Sequence, residues 1–253
     1  MVSTWAGEEL IRKGDFKSCG EFLGAKLYKN DKYFVLESNV KNINAEFIDK
    51  FGKADCAIFL SAHSSSKGVE SFTAHSEGNW SSEASLGGVG KRLSMAAPLY
   101  MLAIAKAAYN AVGNTPGFVL EATHHGPLLD TPSVFLEFGG SEKAKTIREK
   151  AEVLADISLG ANAPEMEYSK IVIGIGGPHY AYKFTKLELS KGYAFAHILP
   201  KHYCSEVDML GQAFDMSKPR PESAVIEWKS IKAETRNSII RRLEDSGVDY
   251  EKV

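Results

Sequence analysis

The sequence predicts an α/β fold, a single domain over residues 1–253 with a mixed, largely parallel central sheet flanked by helices. Three observations carry this. Apolar runs of strand length at 57–60, 117–120 and 170–175 alternate with helix-periodic segments at 94–112 and 141–159. These runs end in serine, glycine, threonine or histidine, at the strand ends where α/β sheets place their ligands. No internal repeat, low-complexity tract or linker interrupts the pattern, and 253 residues with 44% hydrophobic content suffice for a substantial core.

In chain order, residues 1–30 have weak periodicity and no element can be placed there. Tyr33 to Glu37 reads as a strand, Ala45 to Phe51 as a short helix, and Ala54 to Ser61 as a strand covered on both faces. From Ala62 to Arg92 there are eight serines and five glycines, so the stretch reads as one long ordered loop forming a wall of the site. Ser94 to Val112 is a helix with Pro98 in its first turn, closed by Gly113, Asn114 and Pro116. Gly117 to Thr123 and Ser133 to Phe138 read as strands. Ser141 caps a helix running to about Leu159, with Ala144, Ile147, Ala151 and Leu154 inward. Strands at Lys170 to Ile175 and Tyr193 to Leu199 follow, then Ala224 to Trp228 between helical segments at 205–216 and 231–246.

The formal charge of −2 announces no general nucleic-acid binder, although a local basic patch would be enough to hold phosphates. Cys19, Cys56 and Cys204 are odd in number and far apart, which indicates neither a disulfide framework nor a zinc ribbon. With no apolar run near the ~20 residues of a membrane span and no leader pattern at the N-terminus, a cytoplasmic protein is expected.

Five of the seven histidines lie in four short motifs: Ser61-Ala-His63, Thr73-Ala-His75-Ser-Glu-Gly-Asn79, Glu121-Ala-Thr-His-His-Gly-Pro127 and Gly174-Ile-Gly-Gly-Pro-His179-Tyr180. Imidazole is both a common zinc ligand and the side chain best matched to proton transfer near neutral pH. A lone loop histidine is more often structural, but four such motifs at the ends of apolar runs favour a shared site. His124 and His125 are adjacent, so on an extended segment they point to opposite sides and take unequal parts. His197, inside an alternating strand, is assigned to the core or to a supporting position. Glu121 and Glu137 occupy otherwise apolar strands, where a carboxylate needs a cation, metal or donor and can orient a histidine or act as a base. Gly174 to Gly177 completes no dinucleotide fingerprint, and neither a P-loop nor a nucleophile elbow is present. Glycine amides here can approach a phosphate or a developing oxyanion. Tyr180, Tyr182, Lys183, Lys186 and Lys191 interleave rings and cations, as nucleotide stacking requires, though a solvated lysine face is the commoner explanation.

Together with Glu137-Phe-Gly-Gly-Ser141-Glu142 and Ala196-His197-Ile-Leu-Pro200-Lys201, these motifs resemble the D-aminoacyl-tRNA deacylases of the archaeal and plant type over roughly residues 55–203. The resemblance implies a fold similar to phosphorylase-like and peptidyl-tRNA hydrolase-like domains. It also implies Zn2+ as cofactor, the acceptor end of D-aminoacyl-tRNA as partner, and no DNA or membrane partner; a monomer is the working expectation. Carried over by motif, the metal falls to His63, His75, His124, His125 and His179, and catalysis to His124, His125, His179 and Glu121. Substrate contacts fall to Gly176, Gly177, Tyr180, Lys183, Asn79 and Thr123. Tyr182 and Lys183 stand where the family pattern has proline and arginine, and Ala62 where it has a larger residue; lysine keeps the charge but loses the bidentate fork. Two other readings are a nucleoside phosphorylase-like enzyme holding phosphate on the glycine turn, and a non-catalytic tRNA-binding protein with structural zinc.

Overall fold

The computed structural model describes residues 2–52, 54–64, 69–113, 117–141, 148–163 and 166–253, and the side chains of His63 and Ser64 fall outside it. Helix α1 (Val2–Lys13) leads into an antiparallel sheet of β1 (Lys17–Phe22), β2 (Ala25–Lys29) and β3 (Phe34–Glu37). Then come β4 (Ala57–Ser64), β5 (Ser71–His75), the short pair β6 (Gly78–Asn79) and β7 (Arg92–Leu93), α2 (Pro98–Val112), β8 (Phe118–Leu120) and β9 (Ser133–Gly140). The chain continues with α3 (Arg148–Gly160), β10 (Lys170–Ile175), α4 (Tyr182–Lys191), β11 (Tyr193–Leu199), α5 (Leu210–Asp215), β12 (Ser223–Ile226), α6 (Ala233–Asp245) and β13 (Asp249–Lys252). The α/β class is as expected.

The central sheet is present in two halves of four strands each. One is mixed, in the order β4-β9-β5-β8, with β5 antiparallel to β9 and the other pairs parallel. The other, β11-β10-β12-β13, is parallel throughout. Regular pairing stops after Leu120, yet the halves remain joined. Ala181 N–H donates to Leu120 O at 2.8 Å, Ala122 N–H to His179 O at 2.8 Å, and Thr123 N–H to Ile198 O at 3.0 Å. A single isolated bridge, Glu121 to Tyr180, marks the same seam.

Alternation along β10 explains its continuous apolar sequence. Val172 joins the cluster containing Met101, Ile104 and Phe184, whereas Ile173 and Ile175 join Trp80, Phe214 and Leu243. Both faces are covered, as a parallel strand requires. Alanines on α2 let that helix sit close to the sheet: Ala103, Ala105 and Ala108 are fully or almost fully buried beside Phe118 and Phe138.

Several expectations need correction. The stretch 62–92 is not one loop: its centre is β5, all five residues of which are buried between β9 and β8. The helix expected from Ser94 begins at Pro98, because Ser94 to Ala96 are drawn into backbone pairing with Glu77, Leu129 and Met216. Helix α4 begins soon after the glycine turn, where none was expected. Asn114, Pro116, Glu142, Ala144 and Ile147 lie outside the described residues.

Candidate active site

Strands β5 and β8 are parallel neighbours, so their C-terminal ends deliver His75 and the Glu121–His125 segment to the same place. The glycine turn after β10 brings His179 to the seam from the other half-sheet. The four histidines therefore converge. Ring centroids lie 4.1 Å apart for His75 and His124, 4.8 Å for His75 and His125, and 4.6 Å for His124 and His179.

His124 and His125 do not diverge as expected of an extended segment. His125 has φ of 45°, a left-handed conformation that breaks the alternation and turns both rings to one side, 4.4 Å apart. The next residue, Gly126, has no room for a side chain: a Cβ there would collide with the backbones of Gly87, Gly88 and Ile43. Gly126→Ala is expected to cost roughly 1–3 kcal/mol of stability by overpacking. Thermal unfolding measures the loss, and a fall in activity would accompany it as His125 shifts.

Backbone carbonyls orient three of the rings. Nδ1 of His75 lies 3.1 Å from Ser76 O, that of His124 2.8 Å from Ala122 O, and that of His125 2.6 Å from Gly126 O. A carbonyl only accepts, so each Nδ1 carries the proton and each Nε2 is left with a bare lone pair. Burial pushes the His75 imidazole well below its ordinary range and that of His124 down to about 3, and lowers that of His125, with neighbouring histidines contributing. All three are neutral at pH 7.

Glu121 is buried beneath the cluster, with Oε2 3.2 Å from His179 Nε2 and 3.6 Å from His124 Nε2. Access is graded, from the floor at His75 (1% exposed) to the His124 and His179 side chains at 28% and 43%. Three overlapping groups have ligand atoms within 4.8 Å of one another: His75, His124 and His125; Glu121, His124 and His179; and His75, Glu121 and Glu137. His75 Nε2 is buried with no hydrogen-bond partner among the described residues. The Nε2 lone pairs of His75, His124 and His125 converge on one place and repel unless a cation or a proton lies between them, and nitrogen donors with a carboxylate beside them suit zinc.

The remaining expected residues have other placements. His63 pairs by its backbone with Gly139 in β4, and its side chain lies outside the described residues. Thr123 is 2% exposed, and its hydroxyl accepts from Ile198 N–H at 3.0 Å and contacts His197 Nδ1 at 3.2 Å, so it stitches the seam instead of facing substrate. Asn79 Nδ2 donates to Gly87 O at 2.9 Å and braces the loop behind Gly126. The amides expected to meet an oxyanion are already engaged: Gly176 N–H donates to Leu199 O at 2.7 Å and Gly177 N–H to Ser230 Oγ at 2.8 Å. Tyr180 stands beside His179 with centroids 5.5 Å apart, and Lys183 pairs with Glu227 at 3.5 Å.

Sequence reasoning missed Glu77. It is fully buried, bridges His124 through its backbone, and accepts from Ser133 Oγ at 3.0 Å; burial raises its carboxyl to about 8. Its only sequence signal was its place two residues after His75, inside a stretch that read as loop.

The family model described as D-aminoacyl-tRNA deacylase matches residues 50–251. The D-aminoacyl-tRNA deacylase of Pyrococcus furiosus is 34% identical over 255 residues, covering 96% of this chain and 93% of that protein. The Ignicoccus hospitalis deacylase is 39% identical over 199 residues, covering 77% and 80%. The crystal structure of a conserved protein of unknown function, AF0625, superposes with a TM-score of 0.90 at 29% identity, covering 99% of this chain and 91% of that one. This likeness speaks to that fold and not to the phosphorylase-like or peptidyl-tRNA hydrolase-like folds. With the match spanning most of its length and the motifs of His75, His124–His125 and His179 seated in one cluster, the chain belongs to the D-aminoacyl-tRNA deacylase family.

Proposed function

We propose that this chain hydrolyses the ester of D-aminoacyl-tRNA, releasing the free D-amino acid and tRNA. The observation that carries the reading is the convergence of His75, His124, His125 and His179 on buried Glu121, in a chain of this family. The phosphorylase-like alternative loses support because the amides of Gly176 and Gly177 are not free to hold phosphate.

Labour divides between the two halves of the cluster. The His179 side chain is more exposed than those of His75 and His124, and its Nε2–H is directed at Glu121, which leaves Nδ1 as the proton acceptor. There it takes a proton from the attacking water as the water oxygen bonds to the ester carbonyl carbon. Glu121 holds the ring and offsets the charge it acquires. When the C–O bond breaks, the proton passes from His179 to the leaving ribose oxygen, so the balance closes with no covalent intermediate.

His75, His124 and His125 would hold zinc through their Nε2 atoms, with Glu121 or Glu137 beside them. A zinc ion bound there supplies Lewis acidity toward the carbonyl oxygen and makes water easier to deprotonate. Tyr180 and Lys183 line the approach for the acceptor end, and a wall that clashes with the L side chain supplies chiral selection. Three free cysteines and a tRNA substrate suit the reducing cytoplasm.

The test is turnover of matched D- and L-aminoacyl-tRNA before and after verified metal removal. Release of D-amino acids alone, lost on chelation and restored by zinc, is expected. Equal turnover of both enantiomers would remove chiral proofreading, and full activity in metal-free protein would remove zinc.

A further inference from the structure

The C-terminal edge of the parallel half-sheet begins at the histidine cluster and leads away from it. Along this edge lie Lys201 after β11, the Gly177 turn after β10, Trp228 and Lys229 after β12, and Lys252 at the end of β13. Backbone bonds tie neighbouring ends together: Lys201 N–H donates to Gly177 O at 2.9 Å and Trp228 N–H to Val253 O at 3.0 Å. Three strand spacings make the edge about 14 Å long.

Its charge is one-sided. Glu227 is matched by Lys183 at 3.5 Å, and Glu251 by Lys170 at 2.9 Å and Lys191 at 3.6 Å. Among the described residues no carboxylate lies within ion-pair distance of Lys201, Lys229 or Lys252, all of which are exposed. At the far end Trp228 fixes two cations, with the Arg236 guanidinium and the Lys252 ammonium each 4.2 Å from its ring centroid. At the near end His202 and Tyr203 pack ring to ring at 4.4 Å, and Tyr182, 49% exposed, stands 6.3 Å from Tyr180. Rings beside the site and unmatched cations leading from it are the features that hold a single-stranded nucleic acid without reading its sequence.

We propose that the unpaired 3′ tail of the tRNA runs along this edge, its bases near Tyr182 and Tyr203 and its phosphates facing Lys201, Lys229 and Lys252. The inference rests on the deacylase reading and adds the track that leads the ester to the histidines.

The test compares wild type with the double variant Lys229→Glu, Lys252→Glu on two substrates: D-aminoacyl-tRNA, and D-aminoacyl-adenosine, which lacks the tail. KM for the tRNA is expected to rise about tenfold or more at low salt with kcat kept. The slope of log kcat/KM against log salt should become shallower by about 0.7 for each phosphate that no longer meets a lysine. Hydrolysis of the adenosine ester should stay at the wild-type rate. Unchanged KM and salt slope for tRNA overturn the proposal, as does competition by a blunt RNA duplex equal to that by a tailed strand. Wild-type protein inactive on both esters would instead overturn the deacylase reading.

Discussion

His124→Ala is expected to lower kcat/KM for D-aminoacyl-tRNA by about 10³-fold or more, the largest loss of any single side chain. Its ring touches those of His75, His125 and His179, and its Nε2 belongs both to the three-histidine group and to the group containing Glu121 and His179. On the proposed reading, removing it takes away one of the three nitrogens that would hold zinc, together with the ring against which His179 packs. His125→Ala removes a donor but leaves the His179–Glu121 pair, so the smaller loss is expected there. Glu121→Gln should cost about 10–100-fold through misorientation of His179. Single-turnover release of labelled D-amino acid, with bound zinc measured in parallel, separates the cases; His124→Ala within tenfold of wild type would refute the assignment.

The second large effect is acid instability at the seam. His197 is completely buried, and its Nε2–H is shared between Ser94 O at 3.1 Å and Met216 O at 3.0 Å. Its Nδ1 therefore accepts from the Thr123 hydroxyl. A second proton on the ring would reverse that bond and leave the buried Thr123 hydroxyl proton without its acceptor, and burial pushes the imidazole down to about 4. The unfolded chain binds this proton below about pH 6.5, whereas the folded chain binds it only below about pH 4, so protons favour unfolding between those values. Stability is expected to rise with pH across this window by about 3 kcal/mol from His197 alone, and to gain nothing further from it above pH 6.5. Denaturant unfolding at pH 4.5 and pH 7 in wild type and His197→Gln isolates this contribution. The variant should be less stable at pH 7 but flatter across the window, and an equally steep dependence in both would refute the assignment.

Much of the site was legible because its histidines stand at the ends of runs such as Lys170 to Ile175, whose continuous apolar sequence only a doubly covered strand explains. Strand β5 was hidden by composition. Ser71, Thr73, Ala74 and His75 look like loop residues, yet they are buried because β8 and β9 cover them from both edges. Helix α4 was hidden for the opposite reason: its buried positions include Thr185 and Glu188, so no apolar stripe marks the inner face. The convergence of His124 and His125 turns on one backbone angle, which no pattern of side-chain types encodes. The engaged Gly176 and Gly177 amides depend on Leu199 and Ser230, partners distant in the chain. Local pattern found the chemistry; long-range pairing decided which atoms were free to perform it.

Because the seam draws His75, Glu121, His124 and His125 from one half-sheet and His179 from the other, the candidate site is complete only where both halves have folded and met. The mixed half alone carries His75, Glu121, His124 and His125 without His179, and the parallel half alone carries His179 without the Glu121 carboxylate that holds its ring. An aminoacyl ester is reactive enough that a loosely built site would cleave correct and incorrect tRNAs alike. On the proposed reading, splitting these residues across the two halves ties hydrolysis to the docked fold, in which the walls around the site are also in place.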